Sequence, residues 1–117
     1  MTVIRYSNDE LIEFRTLIEN KLEETLRQYN AILMQLQQTA VAESTEDLHN
    51  RKDLLYIETG RLKRYIDNLK SALLRIENKT YGICRVTGRL IDKARLRAVP
   101  HATLSLEAKL GLVKAGE

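Results

Sequence analysis

The chain has 117 residues, enough for one compact domain or for one domain with an extended element. Charged residues make up 30% and aromatic residues only 5%, a balance typical of long exposed helices rather than of a large core. A single Cys excludes an intramolecular disulfide, and there is no apolar run of about 20 residues to span a membrane, so we expect a cytoplasmic protein. The net charge of +3 is concentrated in residues 80–117, which favours either an anionic partner or a solvated basic surface.

The first predicted element is a long helix over residues 8–40. Ser7 or Asn8 can cap its start, and no Gly or Pro follows until Gly60. Along the helix, large side chains recur at alternating spacings of three and four, which is the stripe of a coiled coil. The predicted seam positions are Leu11, Arg15, Ile18, Leu22, Thr25, Tyr29, Ile32 and Leu36.

A second predicted helix over residues 53–79 carries a stripe with the same spacing, at Leu55, Thr59, Leu62, Ile66, Leu69, Leu73 and Ile76. Neither helix has enough other apolar surface for a globular core. We therefore expect them to pair as an antiparallel hairpin, with arms about 40 to 50 Å long. In the alternative, two chains pair in a four-helix bundle that buries residues beside the seam, namely Phe14, Leu17, Leu33 and Leu54.

The predicted tip of the hairpin, residues 41–52, is rich in acidic and hydroxyl side chains. Ser44 or Thr45 can cap the second helix, and the acids would then lie near the positive end of its dipole. The same acids can instead serve an interaction at the end of the rod. They are Glu43, Glu46 and Asp47.

Residues 80–117 lose the helical period and form a second predicted unit, the knob, after the hairpin unit of residues 1–79. Two Gly with β-branched residues between them indicate a short β-hairpin or knuckle. A helical turn, a break at Pro100 and a closing helix from about Ser105 follow. A unit this small usually needs a stabilising constraint, such as a disulfide or a bound metal ion, in addition to its apolar core.

The knob sequence resembles the DksA/TraR family of bacterial transcription regulators, whose members carry a coiled-coil hairpin followed by a four-cysteine zinc finger. The family pattern runs F/Y-G-x-C-x-x-C-G, then I-x-x-x-R-L-x-A-x-P, then A-x-x-C-x-x-C. The matching stretches here are YGICRVTG, IDKARLRAVP and ATLSLEAK, within residues 81–109 and without a gap. The resemblance implies a mainly α fold, with a long helical hairpin and a small finger-like domain that contains a short β-hairpin and a C-terminal helix.

The four positions that hold zinc in the family are Cys84, Thr87, Ser105 and Ala108 in this chain. A structural zinc site needs four donors, usually thiolate or imidazole, and His101 would add only a second one. We therefore predict a finger without zinc, in which Cys84 is a buried neutral thiol and the two hydroxyl groups form hydrogen bonds within the former cage. The predicted replacement for the metal is apolar packing by Ile83, Val86, Leu90, Ile91, Leu96, Val99, Leu104, Leu106 and Leu110.

Members of the family bind bacterial RNA polymerase rather than DNA, and insert the hairpin through the secondary channel so that its tip approaches the active centre. The resemblance implies the same regulatory role here, with Glu43, Glu46 and Asp47 as the tip residues. The stretch VAESTEDLH does not reproduce the D-x-x-D-x-A tip of the best-known members.

Some members also help to form a site for guanosine tetraphosphate from basic residues. Arg95 and Lys109 match two of these positions and are candidate anion contacts, whereas Asn68 and Val99 replace a lysine and an arginine. Because the basic set is incomplete and the zinc ligands are missing, the sequence predicts no cofactor.

Two other functions are compatible with the sequence. A dimeric coiled-coil adaptor would use the same seam without binding polymerase. A DNA-binding finger would use the basic residues of the knob, namely Arg85, Arg89, Lys93, Arg95 and Arg97. These residues alternate with apolar ones, so they do not form one basic face on a recognition helix.

An enzyme is not expected, because the sequence has no nucleophile beside a base and no Gly-rich phosphate loop. We therefore predict a polymerase-binding regulator that makes no sequence-specific contact with DNA and none with a membrane. We favour a monomer over a homodimer.

Overall fold

The computed structural model describes residues 4–41 and 46–112, without the side chains of residues 39–49. This part of the chain contains four helices, α1 (Asn8–Val41), α2 (Glu46–Glu77), α3 (Lys93–Ala98) and α4 (Leu106–Lys109). The two long helices pack along each other as an antiparallel hairpin, and the two short ones belong to the knob at its base. The chain measures 66 × 30 × 20 Å. None of the helices described is both long enough and apolar enough to cross a membrane.

The first helix begins with a capping box. The Ser7 hydroxyl accepts a hydrogen bond from the Glu10 backbone N–H at 3.2 Å, and the Glu10 carboxylate accepts one from the Ser7 N–H at 3.0 Å. Tyr6 before the cap and Leu11 after the first turn are both buried, which is the arrangement of a hydrophobic staple. The predicted start of α1 is confirmed, with Ser7 as the cap.

The coiled-coil seam is the one predicted. Every predicted seam residue is buried or half-buried except Arg15, whose exposed side chain lies 3.2 Å from Glu19. Buried Thr25 donates its hydroxyl to the Lys21 carbonyl at 2.6 Å, so its polar atom has a partner inside the seam. In the alternative with a four-helix bundle of two chains, Phe14 would be buried against the second chain. In the structure, Phe14 is buried within this chain.

The predicted start of the second helix at residue 53 is wrong, because α2 begins at Glu46. The seven additional residues include no Gly or Pro and only one large apolar residue, so hydrophobic periodicity alone does not detect these turns. The rest of the predicted tip, residues 42–45, lies outside the described residues.

α2 ends in a Schellman motif. Lys79 adopts a positive φ of 63°, and its N–H and that of Thr80 donate to the carbonyls of Ile76 and Arg75 at 3.1 and 2.9 Å. This reversal turns the chain back into the knob.

One apolar cluster joins the base of the hairpin to the knob. The knob contributes Tyr81, Cys84, Ile91, Leu96 and Ala102, and the hairpin side contributes Tyr6, Leu11, Phe14, Ile18, Leu69, Ala72 and Ile76. The core of the knob is therefore shared with the hairpin and is not self-contained.

Two predictions for the knob are corrected. The expected β-hairpin is reduced, among the residues described, to one antiparallel bridge between Ile83 and Leu90. Leu106 and Leu110 are exposed and take no part in the packing that was to replace the metal. The reason is that α4 has only four residues and so can turn only one small face towards the core.

Candidate functional site

The four positions of the former metal cage converge in space. The Ser105 N–H donates to Cys84 Sγ at 3.4 Å, and Sγ lies 3.7 Å from Ser105 Oγ. Ser105 caps α4, accepting from the Ala108 N–H at 3.2 Å, and Thr87 accepts from the Arg89 N–H at 3.2 Å. Hydrogen bonds therefore connect Cys84, Ser105 and Ala108, three of the four positions that hold metal ligands in the family pattern.

Tight backbone turns position Cys84 in this cage. Its N–H donates to the Arg89 carbonyl at 2.8 Å, and its own carbonyl accepts from Gly88 at 2.9 Å. Gly88 has a φ of +72°, a conformation that L side chains rarely adopt, which explains the small residue at this turn.

Cys84 is 1% exposed, so it is buried as predicted. Burial raises its pKa, yet hydrogen bonds from the Thr87 hydroxyl and from the backbone N–H groups of Ser105, Thr87 and Val86 lower the pKa by more in total, to about 6. These hydrogen bonds therefore favour the thiolate, whereas the sequence predicted a neutral thiol. Sequence reasoning missed this because the directions of backbone N–H groups are not visible in a residue pattern.

These residues do not fit a structural zinc ion. The cage supplies one thiolate, two neutral hydroxyls and a methyl group, whereas such an ion takes four thiolate or imidazole donors. Among the described residues, no group of three His, Cys, Asp or Glu side chains is placed to hold a metal. His101 packs edge-on against Tyr65, with ring centroids 5.3 Å apart, and makes no described contact with Cys84.

An aromatic cluster fastens the knob to the hairpin. Phe14 lies between two tyrosines, with ring centroids 5.5 Å from Tyr6 and 5.3 Å from Tyr81. The Tyr6 hydroxyl donates to the Ile91 carbonyl, and the Tyr81 hydroxyl donates to the Pro100 carbonyl at 2.8 Å. Burial raises the pKa of both tyrosines, so both keep the proton that they donate.

Gly82 makes room for this cluster. A Cβ at this position would lie 2.6 Å from the Tyr6 ring, and the backbone φ is +79°. Tyr6 was not predicted from the sequence, because it precedes the first helix and lies outside the seam. The available signal was the staple pattern, an aromatic residue just before a Ser-x-x-Glu cap.

The two predicted anion contacts, Arg95 and Lys109, both influence His101 electrostatically. Burial first, and then the positive charges of Arg75, Arg95 and Lys109, lower the pKa of His101, so its ring is neutral among three cations. Arg95 is partly committed, because its Nε donates to the Leu104 carbonyl at 2.9 Å. His101 Nδ1 is buried and has no hydrogen-bond partner among the described residues.

The tip acids are only partly described. Glu46 and Asp47 are the first two residues of α2, so they lie in its first turn, where the helix dipole favours negative charge. Their side chains, like the whole of Glu43 and the proposed caps Ser44 and Thr45, lie outside the described residues.

The knob, and most of the chain, match proteins that are already known. Residues 79–111 match the sequence family described as the prokaryotic dksA/traR C4-type zinc finger. Over 111 residues, 89% of this chain and 77% of the relative, the chain is 34% identical to the RNA polymerase-binding transcription factor DksA of Caulobacter vibrioides (strain NA1000 / CB15N). The chain belongs to the DksA/TraR family.

Two other proteins are similar to this chain. The structure of transcription factor DksA2 from Pseudomonas aeruginosa matches with a TM-score of 0.83 at 25% identity, over 89% of this chain and 83% of that one. General stress protein 16O of Bacillus subtilis (strain 168) is 36% identical over 47 residues, which are 40% of this chain and 29% of that protein. The mainly helical hairpin-and-knob fold predicted from the resemblance is confirmed.

Proposed function

We propose that this DksA/TraR family member regulates transcription by binding bacterial RNA polymerase, with its hairpin inserted through the secondary channel. The supporting observation is the hairpin itself, an antiparallel pair of helices about 50 Å long that projects from the knob. A relative that matches 89% of this chain is named an RNA polymerase-binding transcription factor. In this proposal the rod reaches towards the active centre and the knob stays at the entrance.

Glu43, Glu46 and Asp47 are the residues that we propose to act at the tip. Two of them open α2, at the end of the hairpin farthest from the knob. Carboxylates there would act by charge and by position, not by chemistry of their own, so the protein is a regulator and not an enzyme.

We propose that the knob works without zinc and that the protein needs no cofactor. The support is the donor set at the cage, which offers a single thiolate. Arg95 and Lys109 are proposed as contacts for an anion, because both are near enough to His101 for their positive charges, with that of Arg75, to lower its pKa. The set lacks the lysine and the arginine that Asn68 and Val99 replace, so guanosine tetraphosphate is not assigned to it.

DNA is not the proposed partner. Two of the five basic residues that a DNA-binding finger would use are engaged within the chain. Lys93 pairs with Glu10 of α1, and Arg95 donates to the Leu104 carbonyl. α3, which carries them, has six residues and is short for a recognition helix. We propose that the protein acts as a monomer in the cytoplasm, on polymerase.

Co-purification with the host's core RNA polymerase tests the proposal. Wild type is compared with a tip variant, Glu43→Gln, Glu46→Gln and Asp47→Asn, and with a matched control in which exposed acids elsewhere on the hairpin are neutralised, Glu13→Gln, Glu24→Gln and Glu77→Gln. We expect all three proteins to bind and only the tip variant to lose its effect on initiation in a reconstituted transcription assay. Failure of wild type to bind would contradict the proposed function and leave the fold unaffected.

A further inference from the structure

A cleft opens where the end of α2 meets the turn around Cys84 in the knob. Its volume is about 360 Å³, within the range of about 300 to 1,000 Å³ that small-molecule sites occupy. Neither of the anion contacts predicted from the sequence, Arg95 and Lys109, lines it. We call it the knuckle cleft; it is lined by Arg75, Thr80, Ile83, Cys84, Arg85 and Thr103.

Two arginines bring positive charge to the knuckle cleft, and no acid of the described residues balances it. Neither Arg75 nor Arg85 forms an ion pair with a carboxylate in this part of the chain. Burial, and then the charge of Arg85, lowers the pKa of the half-buried Arg75 guanidinium, so the two cations are close enough to repel each other. Two like charges that line one cleft attract an anion into it.

The end of α2 does not need the Arg75 side chain as a cap. The Arg75 carbonyl accepts hydrogen bonds from the Thr80 and Tyr81 N–H groups at 2.9 and 3.2 Å. The guanidinium itself makes one described hydrogen bond, from Nη2 to the His101 carbonyl at 3.3 Å. Because a guanidinium carries five N–H donors, most of those on Arg75 remain for a ligand.

Hydroxyl groups add further donors at the same place. Thr80 and Thr103 both line the knuckle cleft. The Thr103 carbonyl accepts from the Arg85 N–H at 2.9 Å, which holds these two segments of the knob together. Cys84 also lines the cleft, but its Sγ accepts from the Ser105 N–H at 3.4 Å and is thus engaged in the former metal cage.

A phosphate group fits these donors better than a carboxylate does. Two guanidiniums and two hydroxyls offer more donors than the about four that one carboxylate accepts, and two positive charges match a dianion. The planar guanidinium also binds phosphate through paired hydrogen bonds. We propose that the knuckle cleft binds a phosphate group, held by Arg75 and Arg85 and by the hydroxyls of Thr80 and Thr103. Inorganic phosphate and the phosphate end of a nucleotide share this chemistry.

Isothermal titration calorimetry of the free protein tests the proposal, with inorganic phosphate, inorganic pyrophosphate and a nucleoside diphosphate as titrants. The cleft variant is Arg75→Gln with Arg85→Gln. The matched control, Arg64→Gln with Arg89→Gln, removes the same charge from two exposed arginines outside the cleft. We expect one saturable site in wild type and ~10-fold or more weaker binding in the cleft variant, because a hydrogen bond to a charged group is worth about tenfold or more in affinity. The control should stay within about twofold of wild type, since salt screens more distant charges.

The three titrants distinguish the source of the phosphate. Tighter binding of the nucleoside diphosphate than of pyrophosphate identifies a nucleotide, and equal or weaker binding identifies a free phosphate anion. Either result supports the proposed site.

Circular dichroism shows whether each variant is folded. If the cleft variant does not fold, Arg85→Gln alone decides, because the Arg85 side chain is exposed and makes no hydrogen bond or ion pair within the described residues. Absence of saturable binding by wild type, or equal weakening in the cleft variant and the control, would overturn the proposal. Because these titrations contain no polymerase, that outcome would leave the proposed function standing.

Discussion

Removal of the Tyr6 side chain should release the knob from the hairpin. The ring is 5% exposed, stacks edge-on against Phe14 and covers Gly82, while its hydroxyl donates to the buried Ile91 carbonyl. Replacing a buried aromatic side chain by Ala typically costs about 3 to 5 kcal/mol. Tyr6→Phe keeps the ring and removes the hydrogen bond, so we expect a loss of about 1 to 2 kcal/mol.

Urea unfolding followed by circular dichroism measures these changes, with amide hydrogen exchange at Ile91 and Leu96 reporting on the knob. A loss of 3 to 5 kcal/mol is a large part of the roughly 5 to 15 kcal/mol that stabilises a typical domain. Tyr6→Ala should therefore speed exchange in the knob as well as lower the unfolding midpoint. Tyr56→Ala, which changes an exposed tyrosine, should stay within about 0.5 kcal/mol of wild type.

One result would refute this reasoning. If Tyr6→Ala lowers stability by no more than Tyr56→Ala does, the aromatic cluster does not hold the knob, and some other interaction replaces the family's metal.

Three further predictions concern the knob. Gly82→Ala should lower the free energy of unfolding in urea by more than Gly88→Ala does. Both positions have a positive φ, but only at Gly82 would the new Cβ meet the Tyr6 ring. Equal losses of free energy in the two variants would contradict this packing. The thiolate absorbance of Cys84 should titrate near pH 6. Because that pKa is below the ordinary value of 9.0, the free energy of unfolding should rise as the pH increases from about 6 to 9, and this contribution should be lost as the pH falls through 6. Cys84→Ala should flatten this rise. A wild-type thiol that titrates near pH 9 would contradict the prediction. Elemental analysis should find substoichiometric zinc, and a chelator should leave the unfolding midpoint unchanged; one zinc per chain would overturn the account of the cage.

The hairpin was predictable because burial on one face of a helix leaves a repeating mark in the sequence. Leu62, Ile66 and Leu69 are buried where the stripe placed them. The start of α2 was not predictable in this way, because residues 46–52 contain a single large apolar residue and so show no repeating stripe. The absence of Gly and Pro was the only sign of a helix in this stretch, and it does not define the residue at which α2 begins.

The knob was predictable in outline and not in its energetics. The family pattern located Cys84 and its three neighbouring positions in one cage, which the structure reproduces. It could not identify Tyr6, because the contact between Tyr6 and Ile91 joins residues 85 positions apart. Nor could it show the lowered pKa of Cys84, which depends on a hydrogen bond from the Thr87 hydroxyl and on the directions of three backbone N–H groups.

Site-specific photo-crosslinking in the complex with core RNA polymerase tests the central claim most directly. A crosslinking side chain at Asp47, at the start of α2, reports on the tip, and one at Arg89, in the exposed knuckle, reports on the knob. The account predicts crosslinks from the tip to the polymerase segments around the active centre, and from the knob only to the outer rim of the channel. Crosslinks from the tip to the outer surface alone, or none from either position, would contradict it.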